Sequence, residues 1–128
     1  MSKQVLLWGF ISGILATIAS AIWDKVYFFA MQTDFSKVIN PFSIAGASIL
    51  GCLLAVVLYT ILQKLLNGKH EVVFNFSISI LTIASLIAPL SISLPLDIEF
   101  PEIFPALALP MHFFPAMALF TLKPLFKV

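Results

Sequence analysis

The feature that most constrains this chain is a succession of apolar runs, each about as long as a bilayer is thick, broken only by short polar segments. The first occupies residues 4–31, the second 42–66, the third 72–94 and the fourth 101–122. In water such runs would expose apolar surface on every side. In hydrocarbon an α-helix satisfies its own backbone and needs about 20 apolar residues to cross. Composition agrees: of 128 residues, 61% are hydrophobic and 10% charged, against about 45–50% and about 25% in soluble domains. Four crossings use about 80 residues, which is the most this length holds once turns are allowed for. The expected fold is therefore all-α, an integral membrane bundle of four transmembrane helices in a single domain, 1–128. No internal repeat, low-complexity tract or linker divides it.

Local signals mark the ends of these runs. Lys3, an apolar stretch and then Ala19-Ser20-Ala21 have the outline of a secretory signal peptide. Apolar character continues past Ala21 to Met31, so the segment reads as an uncleaved first span. In the following loop Thr33 or Asp34 is placed to cap a short interfacial helix. Asn40-Pro41 reads as an N-cap with proline at the first helical position, and Asn67-Gly68 as a helix C-terminus. Pro95 closes the third run, Pro101-Glu102 open the fourth with proline and a carboxylate, and Lys123-Pro124 stop it. The loop between them is acidic, through Asp97 and Glu99.

Orientation follows from lysine, because the seven basic residues include no arginine. Lys3, Lys64, Lys69, Lys123 and Lys127 fall on one side of the four-span arrangement, and Lys25 and Lys37 on the other. The positive-inside rule then puts both termini in the cytoplasm, with the cytoplasmic (inner) membrane as the expected location. Asp24, Asp34, Asp97, Glu99 and Glu102 collect on the outer side. Trp8 at the inner end, and Trp23 with Tyr27 at the outer end, fit an interfacial aromatic belt.

Helices in lipid associate through close packing of small residues and a few hydrogen bonds. Gly9, Gly13, Thr17, Ser20 and Asp24 follow one another at three- or four-residue spacing, making a small-residue face on the first span. Ala47, Gly51 and Ala55 form the matching face of the second, with Ser48 and Cys52 one position further round. Ala108, His112 and Ala116 share a face of the fourth. These stripes serve either the packing of one bundle or a homo-oligomer, and the spacing is the same for both.

His112 is the candidate functional residue. Counting from Pro101, it lies about 16 Å into a layer about 30 Å thick, near the midplane, where ionisable groups are costly and mark functional sites by default. Pro105, Pro110 and Pro115 around it remove backbone donors and leave carbonyls without helical partners. The hydroxyl-rich third run, especially Ser85 and Ser91 around Pro89, is placed to supply hydrogen bonds. His112, Asp24, Ser85 and Ser91 thus compose a candidate polar pocket or pathway; the plainer alternative is a neutral histidine hydrogen-bonded as glue between helices.

Other chemistry is poorly supported. One cysteine excludes an intrachain disulfide and paired-cysteine metal motifs, and His70 and His112 are expected at different depths, which disfavours a two-histidine haem within one chain. Met111 and Cys52 are soft enough for Cu(I), but Met111 and His112 are adjacent and diverge on a helix. No Gly-x-Ser-x-Gly or His-Glu-x-x-His pattern is present. The expectation is no enzyme, no metal, no cofactor and no nucleic-acid partner.

With its glycine-bearing first span, Thr33-Asp34-Phe35-Ser36 followed by Asn40-Pro41, and Met111-His112 in the last span, the chain resembles a family of small four-span bacterial membrane proteins classed as a domain of unknown function. The resemblance covers nearly the whole chain and implies a four-helix bundle in the cytoplasmic membrane, with no activity attached. Fluoride channels would need an arginine-bearing glycine motif and small multidrug exporters a glutamate in the middle of the first span, and neither is here. Abundant packing surface with little chemistry points to a non-enzymatic membrane protein, a homo-oligomer or an accessory subunit of a larger membrane assembly. A small channel or transporter built on His112 is the alternative.

Overall fold

Where each helix starts and stops follows from its capping chemistry. A computed structural model describes residues 2–32, 40–91 and 104–126, apart from the side chains of residues 89, 91 and 104. Helix α1, Lys3–Met31, is capped by Ser2, whose hydroxyl accepts from the Val5 amide at 3.3 Å. It ends at Gln32, in the left-handed region at φ 53°, whose amide donates to the Phe28 carbonyl at 2.8 Å. Helix α2, Pro41–Leu65, carries the anticipated start: the Ser43 amide donates to Asn40 Oδ1 at 2.9 Å, the Asn40 amide donates to Ser43 Oγ at 3.1 Å, and Pro41 stands in the first turn. A tight turn with Gly68 at φ 81° then reverses the chain.

The third apolar run is not one helix. Helix α3, His70–Ser85, stops after 16 residues, Leu86 makes a turn, and a five-residue helix α4, Ile87–Ser91, follows. Pro89 has no amide proton to give the Ser85 carbonyl four residues back, so the ladder fails where α3 ends. Helix α5, Phe104–Leu122, keeps Pro110 and Pro115 inside it and passes into a 3-10 turn, Lys123–Phe126. The described residues are helical with no strand, and three segments are long and apolar enough to cross a membrane: α1, α2 and Pro105–Phe126. At 16 residues, α3 spans about 24 Å, less than the hydrocarbon thickness. Residues 33–39 and 92–103, with the expected loop cap at Thr33 or Asp34 and the carboxylates Asp97, Glu99 and Glu102, lie outside the described residues.

Helix α1 packs most extensively on α2 and next on α5. The α1–α2 crossing is tight because glycine permits it. A Cβ on Gly13 would come within 2.7 Å of the Ile49 Cα, and one on Gly9 within 2.8 Å of the Val56 methyls. Two indole donors tie α1 to α5 in antiparallel register: Trp8 Nε1 donates to the Leu119 carbonyl at 2.8 Å and Trp23 Nε1 to the Leu107 carbonyl at 3.0 Å. Leu119 is among the last four residues of α5, whose carbonyls lack partners in their own helix, so Trp8 satisfies a group that hydrocarbon would penalise. This corrects the expectation of an aromatic belt at the inner end, since Trp8 is fully buried.

The core is small-residue and aromatic, while the exterior is aliphatic. Ser12, Ala16, Ser20, Ser48 and Cys52 are buried, whereas Ile18, Ile22, Leu50, Leu54 and Phe42 are exposed. That inversion suits a lipid environment, where apolar surface needs no cover.

Candidate functional site

The half of the bundle nearest the α2–α3 turn at Gly68 differs from the rest, and the difference defines the site. Around α3 and the end of α5 the interior is sealed by aromatic rings. Tyr59 lies edge-on to Trp8 and to Phe74, with centroids 5.3 and 5.1 Å away, and meets His70 at 5.5 Å. Lys123 Nζ caps the cluster 5.0 Å above the Tyr59 ring and pairs with Glu71 at 3.2 Å.

Toward the other end, where α1 finishes and α2 begins, α2 separates from α3 and α5 and leaves a cleft of about 440 Å³. Ser20 of α1, Ser43, Ala47 and Ser48 of α2, Ser85 of α3, and Met111 and His112 of α5 are among the residues lining it. Ser85, His112 and Pro115 also line a second space of about 290 Å³, walled by Gly51, Leu54, Ala55, Leu58, Ile78 and Leu119. Volumes of about 300–1,000 Å³ are usual for small-molecule sites. Among the described residues, no charged side chain lines either space.

His112 is held by a directed chain of hydrogen bonds. Its Nδ1 lies 3.0 Å from Ser85 Oγ, and Ser85 Oγ donates to the Thr82 carbonyl at 2.6 Å. The serine has one proton and it is committed to that carbonyl, so Ser85 accepts from His112 Nδ1–H. The tautomer is assigned by this network. In the neutral ring Nε2 is then an acceptor, on a side chain that lines the cleft. Facing the same space, Ser20 is 1% exposed and its hydroxyl has no hydrogen-bond partner among the described residues. Three other hydroxyls are bonded within their own helices, Thr17 to the Gly13 carbonyl at 2.8 Å, Thr60 to Val56 at 2.9 Å and Ser79 to Asn75 at 2.8 Å, whereas the buried Ser12 hydroxyl, like that of Ser20, meets no partner among the described residues.

The structure thus brings together His112 and Ser85, as a direct contact, but not the whole constellation expected from sequence. Asp24 is half-buried on α1, one turn beyond Ser20, and lines neither space. The Ser91 side chain lies outside the described residues. On α1, Gly9, Gly13 and Ser20 are buried with Thr17 partly so. Of the α2 face of Ala47, Gly51 and Ala55, Ala55 is buried in the core while Ala47 and Gly51 are exposed, and all three line the open spaces. The buried surface of α2 runs through Ile44, Ser48, Cys52, Ala55, Val56 and Tyr59. Small side chains on α2 thus pack at Ser48, Cys52 and Ala55 and leave room at Ala47 and Gly51.

Ser43 and Ser48 were not singled out as pocket residues. Their signal was present in the spacing, since Ser43, Ala47 and Gly51 repeat every fourth position, with Ser48 beside them. Met111 lines the cleft together with His112 although the two diverge on the helix, because the cleft is wide enough to meet both. Among the described residues, no three or more His, Cys, Asp or Glu side chains converge as a metal site would require, and the Cys52 thiol is buried against the Pro115 carbonyl at 3.9 Å. No family model, curated protein or solved structure matches the chain.

Proposed function

We propose that this is a non-enzymatic integral membrane protein of the small-transporter class, which binds an uncharged small molecule in the His112 cleft. On this reading it is a four-span bundle in the cytoplasmic membrane with both termini inside, and the cleft opens toward the outer face. The observation that carries the proposal is the Thr82–Ser85–His112 hydrogen-bond chain on the cleft wall. An imidazole in a bilayer interior is costly, and here its Nδ1 is held 3.0 Å from the Ser85 hydroxyl. The aromatic seal at the opposite end makes access one-sided, which favours a binding step over a continuously open channel.

Cysteine accessibility tests this. In a Cys52→Ala background, Ala47→Cys is expected to react with a membrane-impermeant maleimide added from the outer side of oriented vesicles, because Ala47 lines the cleft. Val56→Cys, fully buried, is the unreactive control. Absence of labelling at Ala47→Cys, or labelling from the cytoplasmic side alone, refutes an outward-opening cleft.

A second reading, a homo-oligomer or accessory subunit, is favoured by a separate observation. A Cβ at Gly46 or Gly51 meets nothing within 4 Å, so another helix has room to approach α2 closely. Efficient disulfide formation between copies carrying Gly51→Cys is the outcome that selects it.

A further inference from the structure

The two spaces meet at Ser85, His112 and Pro115, which line both, and taken together as one groove they have unequal ends that specify a ligand. At one end stand the hydrogen-bonding groups, His112, Ser85, Ser20 and Ser48; the other is walled by Leu54, Leu58, Ile78, Leu81 and Leu119, with Thr82 beside Ser85. Along α2 the groove extends from Ser43 to Leu58, about 22 Å of helix, so its occupant is elongated. Leu54 and Leu81, on its wall, are 61% and 57% exposed, so its flank is open at the side of the bundle, where apolar side chains face outward.

From these features we infer that the groove holds a single-chain amphiphile with an uncharged hydroxyl head, entering from the bilayer. The inference rests on the binding role proposed above and names the class of molecule bound. Three considerations select the head. Among the described residues no charged side chain lines the groove, so against them a carboxylate, phosphate or ammonium would be desolvated without a counter-ion, at large cost. The neutral His112 ring offers an acceptor at Nε2, which a ketone, ester or plain hydrocarbon cannot use. Ser20 is 1% exposed with an unpartnered hydroxyl, and an alcohol oxygen accepts from it while its own proton goes to His112. The tail follows from the aliphatic end. The polarity also matches one leaflet, since the polar end lies toward the outer end of α2 and the apolar end toward the middle and beyond.

Dodecanol is the probe, with dodecane, dodecanoate and dodecyltrimethylammonium as comparators, on the full chain carrying Cys52→Ala and Ala47→Cys in lipid nanodiscs. Dodecanol is expected to slow maleimide labelling at saturation and to bind about tenfold more tightly than dodecane, as one added hydrogen bond provides. The charged comparators are expected to give no protection. Adding His112→Ala should remove the preference for dodecanol over dodecane while leaving the unprotected labelling rate in place, which shows the cleft still formed. Equal protection by dodecane, stronger protection by dodecanoate, or no protection by any chain while labelling persists overturns the amphiphile and leaves the cleft intact. Loss of labelling before any probe is added overturns the cleft itself. Protection that appears only when two copies share a nanodisc, with cross-linking at Gly51→Cys, assigns the groove to a second copy and also overturns the inference.

Discussion

Replacing glycine by alanine at two places on the α1–α2 pair should change stability in opposite directions, although both glycines belong to similar small-residue stripes. At Gly13 the added Cβ would lie 2.7 Å from the Ile49 Cα and 3.1 Å from its Cγ1. The nearest obstacle is backbone, so relief requires moving one helix axis relative to the other. Overpacking of this kind costs about 1–3 kcal/mol, and because the contact is with backbone the upper half of that range applies; the better helix propensity of alanine returns about 1 kcal/mol, for a net loss of about 1–2 kcal/mol. At Gly51 the added Cβ meets nothing within 4 Å, so only the propensity gain of about 0.5–1 kcal/mol remains. Gly13→Ala should therefore unfold earlier than the parent and Gly51→Ala no earlier. The assay is a reversible SDS titration in mixed micelles, followed by far-ultraviolet circular dichroism, with both variants and the parent at one protein concentration. If Gly51→Ala loses as much as Gly13→Ala, the open face of α2 is closed by something, and the groove argument fails with it.

Two further outcomes are expected. Trp8→Phe removes the donor that satisfies the buried Leu119 carbonyl and should cost about 1–3 kcal/mol, whereas Trp23→Phe, at a partly buried bond of 3.0 Å, should cost nearer the about 0.6 kcal/mol typical of hydrogen bonds between membrane helices; equal losses in the same titration would contradict the anchoring role of Trp8. Nitrogen-15 spectra of histidine-labelled protein should show the His112 proton on Nδ1, and Ser85→Ala should move the balance toward the Nε2–H form, so an unchanged tautomer in that variant would break the hydrogen-bond chain as drawn.

Much of the fold was legible because the signals behind it are local. Asn40-Pro41 caps α2 through contacts three residues apart, and the length of each apolar run measures it against a bilayer without reference to any neighbour. The third run was misread as continuous, although its own Pro89 held the reason: a missing amide proton breaks the ladder at Ser85, and the hydropathy of the run continues unaffected across the break. His112 was recognisable from depth alone, and its partnership with Ser85 from the hydroxyl content of the adjacent run. In sequence, Asp24 joins them through its place near the outer end of the first span, at the mouth of an outward-facing cavity, but on α1 it lies one turn beyond Ser20 and does not line the cleft.

By itself, then, the sequence determined the helical class, the suitability of its long segments for lipid, the caps, and the residue whose depth demands an explanation. The tertiary structure decided which small residues pack and which leave space. Periodicity reports the face a residue occupies but not the distance to the helix opposite. Gly13 and Gly51 occur in equivalent patterns, yet one has Ile49 against it and the other has open space. It also turned Trp8 from a surface marker into a buried donor, because the carbonyl it satisfies stands 111 residues away, where no local pattern reaches.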